Sequence, residues 1–159
     1  RDNTGGYFDQ ALLLSNEFLP KGAGVVYMQG LNRPRQQYNA DGNGKLQEVT
    51  LTVLIDEGSA SSSEIFAGAI QDYGTGKIIG TQTFGKGIVQ SIIPLGDGTA
   101  VKLTVSSYFT PNGRNIHGEG ITPDQVVELP EEKEAYENGY IKRECDTQLK
   151  EAVKYILGE

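Results

Sequence analysis

The stretch from Ile55 to Gln90, IDEGSASSSEIFAGAIQDYGTGKIIGTQTFGKGIVQ, constrains this chain more than any other. It continues a short apolar, partly β-branched run, Leu51 to Ile55 (LTVLI), which suits a buried strand, into a small polar turn over Gly58 to Ser63. Ile65, Phe66, Ala69, Ile70 and Tyr73 then recur at helical spacing, which predicts a helix from near Ser62 with that face buried. Ser61 therefore stands where a helix N-terminus begins.

Two roles fit a serine at that junction. Ser61-x-x-Glu64 has the form of a capping box, in which the hydroxyl caps the N3 amide and the glutamate reaches back. A nucleophile at the same point would find free amides and the positive end of a helix, both suited to holding an oxyanion. The serine alone leaves both open.

A serine nucleophile needs a base within hydrogen-bond reach. The one histidine, His117, lies in NGRNIHGEG, which reads as a solvated loop. A lysine can serve when burial lowers its pKa enough to free the neutral amine. Lys86 meets that need best: Phe84, Ile88 and Val89 supply apolar surface, while Gly85 and Gly87 let backbone pack close. Gln90, four residues on, falls on the same face of a strand and can orient the amine. Lys102 alternates with apolar residues and is expected to face solvent.

Taken together, GSASSSEI and TFGKGIVQ resemble the carboxyl-terminal processing, or tail-specific, proteases. RDNTGGYF at Arg1 to Phe8 is similar to that family's R-x-N-x-G-G segment, and GEGITPDQV at Gly118 to Val126 to its G-x-G-I-x-P-D element. The resemblance spans roughly Arg1 to Val127. It implies an α/β fold with a crotonase/ClpP-like layered core and a serine endopeptidase that cleaves proteins near their C-termini. Ser61 would be the nucleophile, Lys86 the general base and Gln90 the residue that positions the lysine. The amides of Gly6 and Ser62 would form the oxyanion hole. The family commonly carries alanine after the nucleophile; here Ser62 stands there, which leaves the backbone donor in place.

The resemblance further implies protein or peptide substrates with exposed C-terminal tails, no cofactor, no metal, and an extracytoplasmic site of action. It places an upstream part of the core, a PDZ domain and a signal sequence outside these residues, so the chain reads as a piece of a longer precursor. The Gly5-Gly6 turn would then be tethered from one side only. Two other functions are compatible with parts of the pattern. One is a peptide-binding or scaffold module in which Ser61 is only a cap. The other is an acyl-CoA-handling enzyme on a crotonase-like fold, against which the Lys86 spacing argues.

A length of 159 residues with 37% hydrophobic content suits one core. The net charge of −7 argues against a nucleic-acid partner. A single cysteine, Cys145, excludes an internal disulfide, and no apolar run reaches the length of a membrane span.

A helix is predicted over Tyr7 to Phe18, with Phe8, Ala11, Leu14 and Phe18 on its apolar face and Pro20 and Gly22 ending it. Gly24 to Met28 reads as a core strand, and Leu31 to Glu48 as a polar excursion with a hairpin turn at Asp41 to Gly44. DGNG fails as an EF-hand loop because Thr50 takes the closing glutamate position. GTQTFGK opens like a P-loop, yet Gly87 replaces the required Ser or Thr and a β-branched run follows.

From Ile88 the pattern is a hairpin, IVQSIIPL and AVKLTVSSYF about a turn at Gly96 to Gly98, which carries Lys86 and Gln90 at its start. On the resemblance, residues 1–130 would form the C-terminal part of a protease core. Residues 131–159 form an acidic, helical linker (EEKEAYE) and a helix capped by Asp146, docked through Leu149, Ala152, Val153 and Ile156.

Overall fold

The computed structural model describes residues 1–159. In chain order the elements are α1 (Phe8–Phe18), β1 (Gly24–Gly30), β2 (Arg33–Asn39), β3 (Leu51–Ile55), α2 (Ser62–Tyr73) and β4 (Gly76–Gly80). They are followed by β5 (Ile88–Pro94), β6 (Ala100–Phe109), β7 (Gln125–Val126), β8 (Tyr136–Glu137), β9 (Tyr140–Ile141) and α3 (Thr147–Leu157).

The strands form two main sheets. β3, β4 and β7 pair in parallel, and β2-β1-β6-β5 is antiparallel throughout. Two adjacent parallel strands need a crossover, and α2 supplies it between β3 and β4. The helix ends at Gly74, whose φ of 63° is the left-handed cap that glycine adopts without strain. Ile65 and Ile70 of α2 are buried with Ile55, Ile78, Val25, Val26, Ile116 and Ile121 in one core. Each such side chain, removed from water, contributes roughly 1.5–3 kcal/mol.

The predicted β3, α2, β1 and β5-β6 hairpin are all present. Other details differ. On α1, Phe8, Ala11 and Phe18 face the core as expected, but Leu14 is 47% exposed and Ser15 is buried in its place, with the Ser15 hydroxyl donating to the Ala11 carbonyl at 2.7 Å. A serine satisfied within its own helix can occupy a core position that periodicity assigns to leucine.

The excursion from Leu31 to Glu48 holds a whole strand, β2, paired to β1. It is an edge strand of Arg, Pro, Gln and Asn, exposed along nearly its full length, so it has no apolar alternation to read. The hairpin turn therefore falls at Gly30 to Arg33, and Asp41 to Gly44 is a connecting loop closed by Asn43 N–H donating to Asp41.

EEKEAYE is a short 3₁₀ turn, Lys133–Ala135, leading into the β8-β9 hairpin rather than a helical linker. Asn138 and Gly139 make its turn at φ 52° and 84°, the Asn-Gly hairpin chemistry. On α3, Val153 and Ile156 are 44% and 48% exposed; the helix docks through Ala152 and Gln148.

Asp146 caps α3 as predicted, accepting from the Leu149 amide at 2.9 Å. It also receives the Arg1 guanidinium at 2.6 and 2.9 Å. Burial pushes its carboxyl up, but the hydrogen bonds from Arg1 and Leu149 and the Arg1 charge outweigh that and hold it below the ordinary 3.8. A carboxyl lowered in the folded state stabilises the fold above its unfolded value and loses that contribution as pH falls through the folded one. Asp146→Asn should therefore lower the unfolding midpoint at pH 7, and the gap to wild type should close as pH falls below about 4. A gap that persists unchanged at pH 2 would show that the carboxylate charge is not responsible.

Candidate active site

Ser61 occupies the junction between the β3 loop and α2 with φ 59° and ψ −119°. An ordinary N-cap is extended, and a non-glycine residue at positive φ costs of order 1–3 kcal/mol unless its surroundings enforce it. The enforcement is visible in the two residues that precede it. Ser59 exchanges hydrogen bonds with Asp56, its hydroxyl donating to the carboxylate at 2.9 Å and accepting from the Asp56 amide at 3.1 Å. The Ala60 amide donates to the Asn3 carbonyl at 2.9 Å.

Glu64 does reach back to the Ser61 amide, at 2.7 Å, as a capping box requires. Its carboxylate does much more. The same oxygen, Oε2, accepts the Lys86 amide at 2.9 Å, while Oε1 accepts the Gly85 amide at 2.7 Å and the Thr83 hydroxyl at 2.6 Å. Glu64 is fully buried, so its charge is balanced by these four donors and by the N-terminal end of α2. Because Ser61 and Lys86 donate to one oxygen, their amide nitrogens can be no farther apart than those two bonds laid end to end. One carboxylate thus brings the two residues of the proposed dyad to a common point.

The loop from Thr83 to Gly87 has no regular secondary structure, yet much of its backbone is hydrogen-bonded. Thr83 N–H donates to Ile121, Phe84 N–H to Ser59, and the Gly87 carbonyl accepts from Tyr108 at 2.7 Å. The Thr83 hydroxyl also accepts from the Ile121 amide at 2.7 Å, which links the GEGITPD element to Glu64. Gly87 is required by close approach: a Cβ there would lie 2.5 Å from the His117 amide nitrogen and 2.7 Å from Ile116 Cβ.

This packing corrects the expected shielding of Lys86. The glycines on either side are buried and turn the backbone inward, so the lysine side chain is exposed, as is Phe84 at 69%. Gln90 is also exposed. Lys86 lies before β5 begins, and a register shift between Val89 and Gln90 interrupts the alternation, so the expected shared strand face of Lys86 and Gln90 does not hold. His117 and Lys102 face solvent as predicted.

The Gly5-Gly6 turn lies directly on the serine. A Cβ on Gly5, which has φ 93°, would fall 2.9 Å from both Ser61 Cβ and the Ser62 amide nitrogen. Gly5 N–H donates to the Asn3 side chain at 3.0 Å, leaving Gly6 as the next amide of the turn. A cavity of about 370 Å³ opens beside it, lined by Gly5, Gly6, Tyr7, Leu14, Ser62 and Phe66 among others. No cluster of residues suited to a metal is present.

Residues 1–127 match the model of peptidase family S41. The chain belongs to that family. It is 41% identical to a carboxy-terminal-processing protease of Bartonella bacilliformis, across all of this chain and 43% of that protein. A probable CtpA-like serine protease of Staphylococcus aureus is 40% identical over 82% of this chain and 26% of its own length. The photosystem II D1 C-terminal processing protease superposes with a TM-score of 0.78 at 37% identity, over 84% of this chain and 35% of that one. The chain thus spans less than half the length of each of these three proteins. Its mixed α/β architecture is that of S41 peptidase domains.

Sequence reasoning assigned Glu64 a helix cap and missed its hold on the lysine loop. The only signal was Ser-x-x-Glu, which is equally the signature of a plain cap. Glu64→Gln places an amide donor against N–H groups and is expected to cost about 3 kcal/mol. The unfolding midpoint in denaturant checks this; a change under about 0.5 kcal/mol would mean the carboxylate is not holding the loop. Gly5→Ala should abolish activity of the full-length protein, because its Cβ has no space beside Ser61.

Proposed function

We propose that this chain carries the nucleophile and base of a serine endopeptidase that cleaves proteins near their C-termini. The observation that supports it most is the shared Glu64 oxygen that holds the Ser61 and Lys86 amides together, with the Gly5-Gly6 turn packed on the serine. A strained serine at a helix N-terminus, a lysine loop and a glycine turn are the parts that acyl transfer needs.

In this mechanism the neutral Lys86 amine takes the Ser61 hydroxyl proton as Oγ attacks the scissile carbonyl carbon. The carbonyl oxygen becomes an oxyanion held by the Gly6 and Ser62 amides. Collapse breaks the C–N bond, and the Lys86 ammonium returns the proton to the leaving amine. Water, deprotonated by Lys86, then attacks the acyl-enzyme and regenerates Ser61. The role of Gln90 in positioning the amine rests on the family resemblance alone, since the two residues do not share a strand face.

For the exposed Lys86 amine to act as the base, substrate covering the loop must exclude water from it. The proposed substrates are proteins or peptides with exposed C-terminal tails. An extracytoplasmic site of action rests on the family resemblance alone.

The exposure of Lys86 and Gln90 favours one rival, a scaffold or peptide-binding module without chemistry. Labelling by a fluorophosphonate, mapped to its residue, separates the two. Ser61 should be labelled in the full-length protein, and Lys86→Ala should suppress the labelling. Ser61→Ala should lower kcat by at least about 10⁴-fold with an unchanged unfolding midpoint. Full activity in Ser61→Ala, or no labelling of folded protein, would sink the proposal.

A further inference from the structure

The family match ends at residue 127, yet α3 reaches back to the first residue of the glycine segment. We infer that Asp146 and Gln148, on the first turn of α3, are positioning residues that act through Arg1 to hold the Gly5-Gly6 turn against Ser61. This rests on the proteolytic function proposed above.

The Arg1 guanidinium is engaged as a fork. Nη2 donates to Asp146 Oδ2 at 2.6 Å, and Nη1 to Asp146 Oδ1 at 2.9 Å and Gln148 Oε1 at 3.1 Å. The acceptors are 3% and 1% exposed, so water competes little for them. They are themselves held. The Leu149 amide donates to Asp146, the Gln148 amide group to the Val127 carbonyl at 2.8 Å, and the Val127 amide to Gly80 at the end of β4. Arg1 is thus tied to the parallel sheet through a route that does not pass through the serine loop.

That independence matters because, apart from the Arg1 nitrogen donating to the Leu54 carbonyl of β3 at 3.0 Å, the holds on the glycine segment come from the loop it must align with. The Asp2 amide donates to both oxygens of Asp56, at 2.8 and 2.9 Å, and the Asn3 carbonyl accepts from Ala60. Asp2 has φ 49°, a left-handed conformation that a non-glycine residue keeps only between fixed neighbours. The Arg1 fork on one side and Asp56 on the other are those neighbours. Releasing the fork lets Asp2 relax, which rotates the peptides that follow and swings the Gly6 amide off the oxyanion position. The donor remains present but is misaimed, so the loss is expected in kcat and not in KM.

The test uses hydrolysis of a fluorogenic peptide by the full-length protein. Asp146→Ser keeps a side-chain oxygen to cap α3 and removes the fork, separating helix capping from the hold on Arg1. It should lower kcat about tenfold, less than the roughly hundredfold loss of a whole oxyanion donor, with KM within about twofold of wild type. Fluorophosphonate labelling of Ser61 should slow by the same factor. Arg1→Gln leaves α3 untouched and should give the same kcat loss, and the double variant should be no worse than either single one. Arg1→Gln alone decides the matter if Asp146→Ser does not fold. A wild-type kcat in Arg1→Gln, with Ser61→Ala inactive, overturns this positioning role and leaves the proteolytic function standing. Wild-type hydrolysis by Ser61→Ala overturns the function beneath it.

Discussion

A carboxylate removed from water must find hydrogen-bond donors for both oxygens, and Glu64 finds its four on two different segments. That requirement joins the N-terminus of α2 to the loop that carries Lys86. An irregular loop has no ladder to fix it. This one is fixed because the amides of Gly85 and Lys86 have a buried charge to satisfy. Thr83 extends the hold to Ile121, so the segment after Gly118 is coupled to the same point. Ser61 and Lys86 are held by their backbone amides, which leaves their side chains available for chemistry.

Most of the site is built by backbone approach rather than by side-chain contact. Gly5 and Gly87 each stand where a Cβ would collide with a neighbouring segment. Ser61 and Asp2 are held at positive φ, and both are flanked by carboxylate-anchored neighbours. Strain of this kind persists only inside a well-packed frame, and the isoleucine-rich core between α2 and the sheets supplies it. Lys86 emerges from the same packing as an exposed side chain. Its shielding from water is therefore left to the substrate-covered state.

Much of the fold was legible in advance wherever apolar period and turn chemistry agreed. β3, α2 and the β5-β6 hairpin follow from LTVLI, from the Ile65 to Tyr73 spacing and from the two runs about Gly96 to Gly98. β2 was not legible, because an exposed edge strand of Arg, Gln and Pro buries nothing and so carries no periodic signal. Ser15 took the core position assigned to Leu14 because its hydroxyl is satisfied by Ala11. β8 and β9 lay under an acidic composition that suggested a solvated helix, although Asn138-Gly139 was there to be read as a turn.

By itself, the amino-acid order determined which residues can do chemistry: a serine at a strand-to-helix junction, a lysine between glycines, and a double glycine able to lie on that serine. Those are local matters of side-chain type, helix start and missing Cβ atoms. Tertiary structure decided how the parts meet, and on which side of the surface they fall. Whether Glu64 is a cap or a shared clamp depends on donors more than 20 positions away. Whether α3 is a bystander or an anchor depends on an arginine at the other end of the chain. Buried charges choose partners by proximity in the folded state, and local sequence carries no record of that choice.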